Sequence, residues 1–269
     1  MSNLPWIYLV PIFLLSLYFI LKKKQIKLVK VTDEDRKILN DKVSFYQRLD
    51  AADRLKFEGK IETFLGNTKI EGVEIDITPL DEMLIASSAI IPIFGFEDWK
   101  YKNLTAVLLY PDTFNAEFQF NNSKDLESVG QVLGGKRNIM GMVGSGFMNG
   151  QMILSRSALI HGFENAVDAE NTGIHEFVHL LDKSDGAADG IPENLLAHRY
   201  TLPWLKMMHE EIEKIIKNKS DINPYASVNE AEFFAVTSEY FFERPDKFKE
   251  HHPEMYALLS MIFAQDPAA

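Results

Sequence analysis

The chain has 269 residues, 46% of them apolar, which is ample for a buried core and too apolar for a disordered tail. Its formal net charge of -11 repels phosphate backbones, and no cluster of Lys and Arg interleaved with aromatics offsets that field, so nucleic acid is excluded as the expected partner. With no cysteine there is no disulfide, cysteine-ligated zinc finger, iron-sulfur cluster or thiol nucleophile, and any metal must be held by His, Asp and Glu.

From Leu4 to Leu21 the chain runs 18 residues without a charge and then meets Lys22, Lys23 and Lys24. As a helix that stretch reaches roughly 27 Å, close to the ~30 Å hydrocarbon core of a bilayer. A cleaved signal peptide wants its positive charge before the apolar run and a small-residue cleavage site after it; here the charge follows and no such site appears. A buried core helix is the third reading, but Trp6 and Tyr8 at one end and lysines at the other suit two membrane interfaces better. Residues 1–27 therefore read as a retained single-pass anchor with a basic flank, slightly weakened by Pro11, and the lysines place residues 28–269 on the cytoplasmic side.

Residues 28–269 read as one domain, with no internal repeat or low-complexity tract. Thr32 followed by Asp33, Glu34 and Asp35 predicts a helix start, with a patchy period through Ile38, Val43 and Phe45. A second helix is expected from Ala51 to Leu65, ending at Gly66. Apolar runs at Leu104 to Tyr110 and Gln151 to Ser155 read as strands. The glycines between them (Gly141, Gly144, Gly146, Gly150) lack the spacing and lysine of a phosphate cradle and read as a turn. Helices follow at about Asn171 to Ser184, Pro203 to Lys217 and Glu230 to Arg244; the middle one buries Leu205, Met208, Ile212 and Ile215. Strands and helices in this mixture point to an α+β fold.

The chemistry concentrates in Ile174 to Asp182, IHEFVHLLD. Residues four apart share a helix face, so His175 and His179 can offer two imidazole nitrogens to one ion, with Glu176 beside them to take a proton from a metal-bound water. Ile174, Val178 and Leu181 repeat at core spacing and hold the opposite flank, which separates this segment from a surface helix with two histidines four apart by accident. A catalytic zinc needs a third protein ligand and one open position. The extended HExxHxxGxxH pattern does not supply it, since residues 182 and 185 are both Asp.

A later glutamate is the alternative. In Asn229 to Arg244, Glu232 and Glu239 are seven apart and share a face, and Glu232 sits among Ala231, Phe233 and Phe234, where an unpaired carboxylate is costly unless a metal resolves it. Glu232 is thus the candidate third ligand, and Glu239 the candidate acceptor that orients a ligand imidazole, with Asp182 a rival for that task. Glu230 and Glu243 read as solvated positions on the same helix.

IHEFVHLLD and AEFFAVTSEYFFERP, separated by an amphipathic helix and an INPYA turn, together resemble the Mlc titration factor A family of bacterial zinc peptidases. The likeness extends weakly back through LTAVLLYPDTF and MILS to about residue 30. It implies His175, His179 and Glu232 as zinc ligands, Glu176 as general base, a gluzincin-like zincin fold and aminopeptidase-type activity. Members of that family also bind a transcriptional repressor in sugar-uptake regulation; no surface for such a partner is identified in this sequence, and the N-terminal span departs from the family pattern.

The expected function is a membrane-anchored zinc peptidase acting on a peptide or protein substrate. Tyr225, shortly before the Glu232 helix, is the candidate oxyanion donor, against a plain packing role in its turn. The strand Met152 to Ser155 is a candidate sheet edge for pairing with an extended substrate. His198 and His209 read as structural rather than ligating. The alternative function is a non-catalytic, zinc-containing regulatory module that binds an unidentified cytoplasmic partner protein.

Overall fold

Capping chemistry decides where the first helices begin. Thr32 Oγ1 accepts from Asp35 N at 3.2 Å while Asp35 Oδ2 accepts from Thr32 N at 2.8 Å, a reciprocal box that opens α1 (Asp33–Lys42). Val43 is extended (φ -109°), so the chain breaks there and restarts as α2 (Ser44–Arg48). Asp50 then caps α3 (Ala51–Asn67). This helix passes through Gly66 instead of ending at it, because the i to i-4 bond from Thr68 N to Phe64 O (2.8 Å) is still made and one glycine costs a helix only about 1 kcal/mol. In this computed structural model the described residues are 28–101, 104–112, 141–143, 150–165, 168–196 and 198–269.

The strands are β1 (Lys69–Gly72), β2 (Ala106–Tyr110), β3 (Gly141–Val143) and β4 (Gln151–Ser155), ordered β1-β2-β4-β3. The first three neighbours in that order run parallel, and β3 pairs antiparallel with β4. This corrects the expectation that Met152 to Ser155 is a sheet edge. β4 is paired on both sides, and Met152, Ile153 and Leu154 are fully buried, as a continuous apolar run requires of an interior strand. The edge on that side is β3, so Gly141 belongs to a strand rather than to a turn.

Two helices that sequence periodicity did not reveal join these strands in the chain, one between β1 and β2 and one after β4. α4 (Pro79–Ile90) is opened by a Thr78 and Asp81 capping box, and it is buried from Met83 to Ile90 with no polar face to set a period. α5 (Arg156–Glu164) follows β4 directly, capped by Ser155. The two are tied by Arg156, which places Nε and an Nη 2.9 and 2.7 Å from the Asp81 carboxylate.

The remaining helices are α6 (Thr172–Asp182), α7 (Thr201–Ile216), α8 (Glu230–Glu243), α9 (Pro245–His251) and α10 (Pro253–Phe263). α7 begins two residues before Pro203 and anchors through Trp204, which is fully buried; Leu205 and Ile212, expected on its inner face, are half-buried. α8 is buried on all sides from Phe233 to Phe242. Phe233 and Phe234 meet Trp204 edge-on at 6.0 and 5.9 Å, and Phe234 stacks on Phe263 of α10 at 5.8 Å. The helix is therefore a rigid central strut, suited to holding polar groups in place.

Among the described residues no helix is long and apolar enough to cross a membrane, and the apolar segment 4–21 lies outside them.

Candidate metal centre

α6 carries the HExxH motif, and its start is set by Asn171, whose Oδ1 accepts from Ile174 N at 3.0 Å. The helix lies hard against α4: a Cβ at Gly173 would fall 2.1 Å from Ser88 Oγ, so glycine is required for the approach. Ile174, Phe177, Val178 and Leu181 are buried beneath it. That burial leaves one flank, with His175, Glu176 and His179, facing the start of α8.

Glu232 stands there, in the first turn of α8, its backbone capped by Asn229. His175 Nε2 and His179 Nε2 are 3.0 Å apart, and Glu232 Oε2 lies 2.9 Å from the first and 3.6 Å from the second. Among the described residues these three form the single group of His, Asp and Glu ligand atoms close enough to share an ion. Bonds of ~2.1 Å at tetrahedral angles would put such donors about 3.4 Å apart, which the observed separations bracket.

The chemistry of the donors fits a cation as well as the distances do. His175 Nδ1 faces Glu239 Oε1 at 2.7 Å, which fixes its proton on Nδ1 and leaves Nε2 a bare lone pair. That lone pair confronts a carboxylate oxygen, Glu232 Oε2, which is buried and accepts no hydrogen bond. Such a cluster of acceptors calls for positive charge at its centre. In the protein alone the demand falls on His175: burial works against a second proton, but the Glu239 and Glu232 carboxylates outweigh it and push the imidazole up to about 10. Conversely, burial works to raise Glu232, and the adjacent imidazoles of His175 and His179 hold it well below the usual carboxylate range. The residues fit a divalent metal ion held by two imidazoles and one carboxylate.

Glu176 is buried, 7% exposed, and burial raises its carboxyl above the ordinary value against the pull of both imidazoles. The side chains of His179 and Glu232 keep 17% and 18% of their exposure, so the cluster is open on one side. Tyr225, in the 3-10 turn Pro224–Ser227, brings its ring centroid to 6.2 Å from that of His175.

Asp182 does not share the task of Glu239. Its Oδ2 accepts from Gly190 N at 2.9 Å, pinning the loop after α6. Gly190 has φ +74°, its carbonyl accepts from Trp204 Nε1 at 2.7 Å, and a Cβ there would lie 2.2 Å from Glu230 O. Asp182 thus helps set how closely the start of α8 approaches α6. His209 is exposed beside Glu230 at 3.5 Å, and His198 lies in the 3-10 turn His198–Tyr200.

The expectation that Glu243 is solvated is corrected. Its Oε1 accepts from Asn171 Nδ2 at 3.1 Å, its Oε2 is buried without a partner, and burial followed by the charge of Glu239 pushes the carboxyl up to about 9. Asn171 and Glu243 were missed as site residues, though signals for both exist. Asn171 precedes a core-periodic helix, and Glu243 continues the face of Glu232 and Glu239 at a spacing of four.

Residues 19–264 match the profile of the family described as glucose-regulated metallo-peptidase M90. The chain belongs to this family. Relatives include the uncharacterized protein slr2042 of Synechocystis, 29% identical over 238 residues, covering 86% of this chain and 83% of that protein. Mlc titration factor A of Pectobacterium atrosepticum is 29% identical over 204 residues, covering 73% of this chain and 72% of its own. The protein of the same name from Serratia proteamaculans is 30% identical over 169 residues, or 61% of each chain. Family and geometry together give a metallopeptidase-like domain in which His175, His179 and Glu232 are placed so that they could hold a metal ion.

Proposed function

We propose that this chain is a zinc-dependent peptidase, aminopeptidase-like, with His175, His179 and Glu232 as ligands. One observation carries the reading: three acceptor atoms from α6 and α8 converge on one point, with a buried carboxylate, Glu176, next to it in the chain. Zinc is favoured over other divalent ions by the donor set of two imidazoles and one carboxylate. When bound, it would supply a Lewis acid and an acidified water. Glu176 takes the proton of the attacking water and returns it to the leaving amine; its raised carboxyl suits both halves of that exchange. Tyr225 donates to the oxyanion that develops on the substrate carbonyl. The outer side of β3, the edge strand, is where an extended peptide would pair.

Two further parts of the proposal concern where the enzyme works. The apolar segment 4–21 with its trailing lysines anchors it as a single-pass protein with its domain in the cytoplasm. Protease accessibility in intact cells tests this, and cleavage of the domain from outside would overturn it. The name titration factor, carried by several relatives, favours a second reading in which the domain captures a regulatory protein without turnover.

Hydrolysis of aminoacyl-nitroanilides and peptides separates the two readings. Glu176→Gln should lose at least about 100-fold in rate while keeping its zinc. Equal rates in the two proteins would sink the catalytic role.

A further inference from the structure

Glu239 alone does not explain how His175 is held, because the carboxylate is itself gripped from the far side. Its Oε2 accepts a hydrogen bond from Asn171 N, and it lies buried at 1% exposure. Asn171 is in turn held at every polar atom of its side chain. Oδ1 caps α6 at Ile174 N (3.0 Å), and Nδ2 donates to Gly162 O (3.2 Å) and to Glu243 Oε1 (3.1 Å). Glu239 and Glu243, one turn apart on α8, therefore clamp a single residue, one by its backbone and the other by its side chain.

That residue is the start of the motif helix, and the clamp lies on the same helix as Glu232. Its position fixes the register of α6 against α8, and so the distance from Glu232 to the two imidazoles. We propose that Glu243, acting through Asn171, is a positioning residue that holds Glu239 against His175 and sets the ligand geometry of the metal site. This rests on the reading of His175, His179 and Glu232 as metal ligands.

Capping and clamping can be separated. Asn171→Ser keeps a good N-cap and removes both Nδ2 bonds. Glu243→Leu removes the acceptor on the other side, whereas Glu243→Gln preserves an oxygen for Asn171 Nδ2. Zinc affinity of the full chain is read by competition with a chromophoric chelator, alongside thermal unfolding of the metal-free protein and the His175 Nδ1 proton resonance in the zinc-loaded protein. Glu243→Leu and Asn171→Ser should each weaken zinc binding about 10- to 100-fold and shift the Nδ1 resonance. Glu243→Gln should restore affinity to within about threefold of wild type, since the neutral amide repeats the hydrogen bond.

A folded Glu243→Leu protein with wild-type zinc affinity and an unmoved Nδ1 resonance would overturn the proposal, even if its unfolding temperature fell. If Glu243→Leu does not fold, Asn171→Ser decides by the same two readouts. A wild-type protein that holds zinc and hydrolyses nothing would defeat the peptidase reading, and the affinity ratios would still decide the role of Glu243.

Discussion

Replacing Asp182 by Asn should make the metal-free protein gain stability, relative to wild type, as the pH rises. Asp182 is fully buried at the end of α6, and burial pushes its carboxyl from 3.8 to about 6 despite the hydrogen bond from Gly190 N. A carboxyl raised on folding contributes stability that is complete below its unfolded value and lost as the pH climbs through its folded one. Moving it from 3.8 to about 6 corresponds to roughly 3 kcal/mol, almost all expressed at pH 7.5 and about 1 kcal/mol expressed at pH 4.5. Asn does not titrate, and its amide oxygen can keep the Gly190 bond. Any cost of placing an NH2 where Asp182 Oδ1 has no partner is the same at both pH values. The difference between mutant and wild type should therefore shift by about 2 kcal/mol in favour of Asn between pH 4.5 and 7.5, or about 4–8 °C in unfolding temperature. Urea and thermal unfolding in chelator at the two pH values measure it. A mutant destabilised equally at both, or more at pH 7.5, would refute the assignment of a buried, disfavoured charge.

Four other outcomes are expected. Glu239→Ala should weaken zinc about 10- to 100-fold in chelator competition, because His175 loses the partner that fixes its proton on Nδ1; unchanged affinity would remove Glu239 from the site. Tyr225→Phe should lower kcat at least about 10-fold with KM little changed, and a kcat equal to wild type would reduce Tyr225 to packing against His175. Gly190→Ala should cost at least about 2 kcal/mol in denaturant unfolding, combining a left-handed backbone with a Cβ driven against Glu230 O, and a neutral result would show that the loop yields freely. For Asp221, burial works to raise the carboxyl, but Tyr240, His252, His251 and Lys247 outweigh it and hold it well below the usual range. The stability this brings is present above the ordinary carboxylate value and lost as the pH falls below it, so Asp221→Asn should destabilise at pH 7 and converge on wild type in acid.

The site was legible in the sequence where burial and chemistry share one period. His175 and His179 stand against Ile174, Val178 and Leu181, so the 3.6-residue repeat reveals both the helix and the face that carries the ligands. Elements without such contrast were not legible. The helix over Pro79–Ile90 is apolar on every side at its buried end, and periodicity cannot tell it from a strand. β4 reads as a strand, but its place inside the sheet depends on β2 and β3, which are distant in the chain. Glu243 read as solvated because a glutamate near a helix end usually is; its partner is Asn171, 72 residues earlier, which the spacing along the helix does not reveal.

The three glutamates of α8 show what periodicity gives and what it withholds. Positions 232, 239 and 243 share a face, and spacing alone treats them alike. What separates them is the donors that tertiary structure brings to each. Glu232 meets two imidazoles and is held ionised. Glu239 meets one imidazole N–H and one backbone N–H, which spends one oxygen on each. Glu243 meets the amide of Asn171, and burial with the charge of Glu239 nearby pushes its carboxyl up to about 9. The same helix thus favours the charged form of a carboxyl where imidazoles meet it, at Glu232, and disfavours it at Glu243, where burial and a neighbouring carboxylate act together.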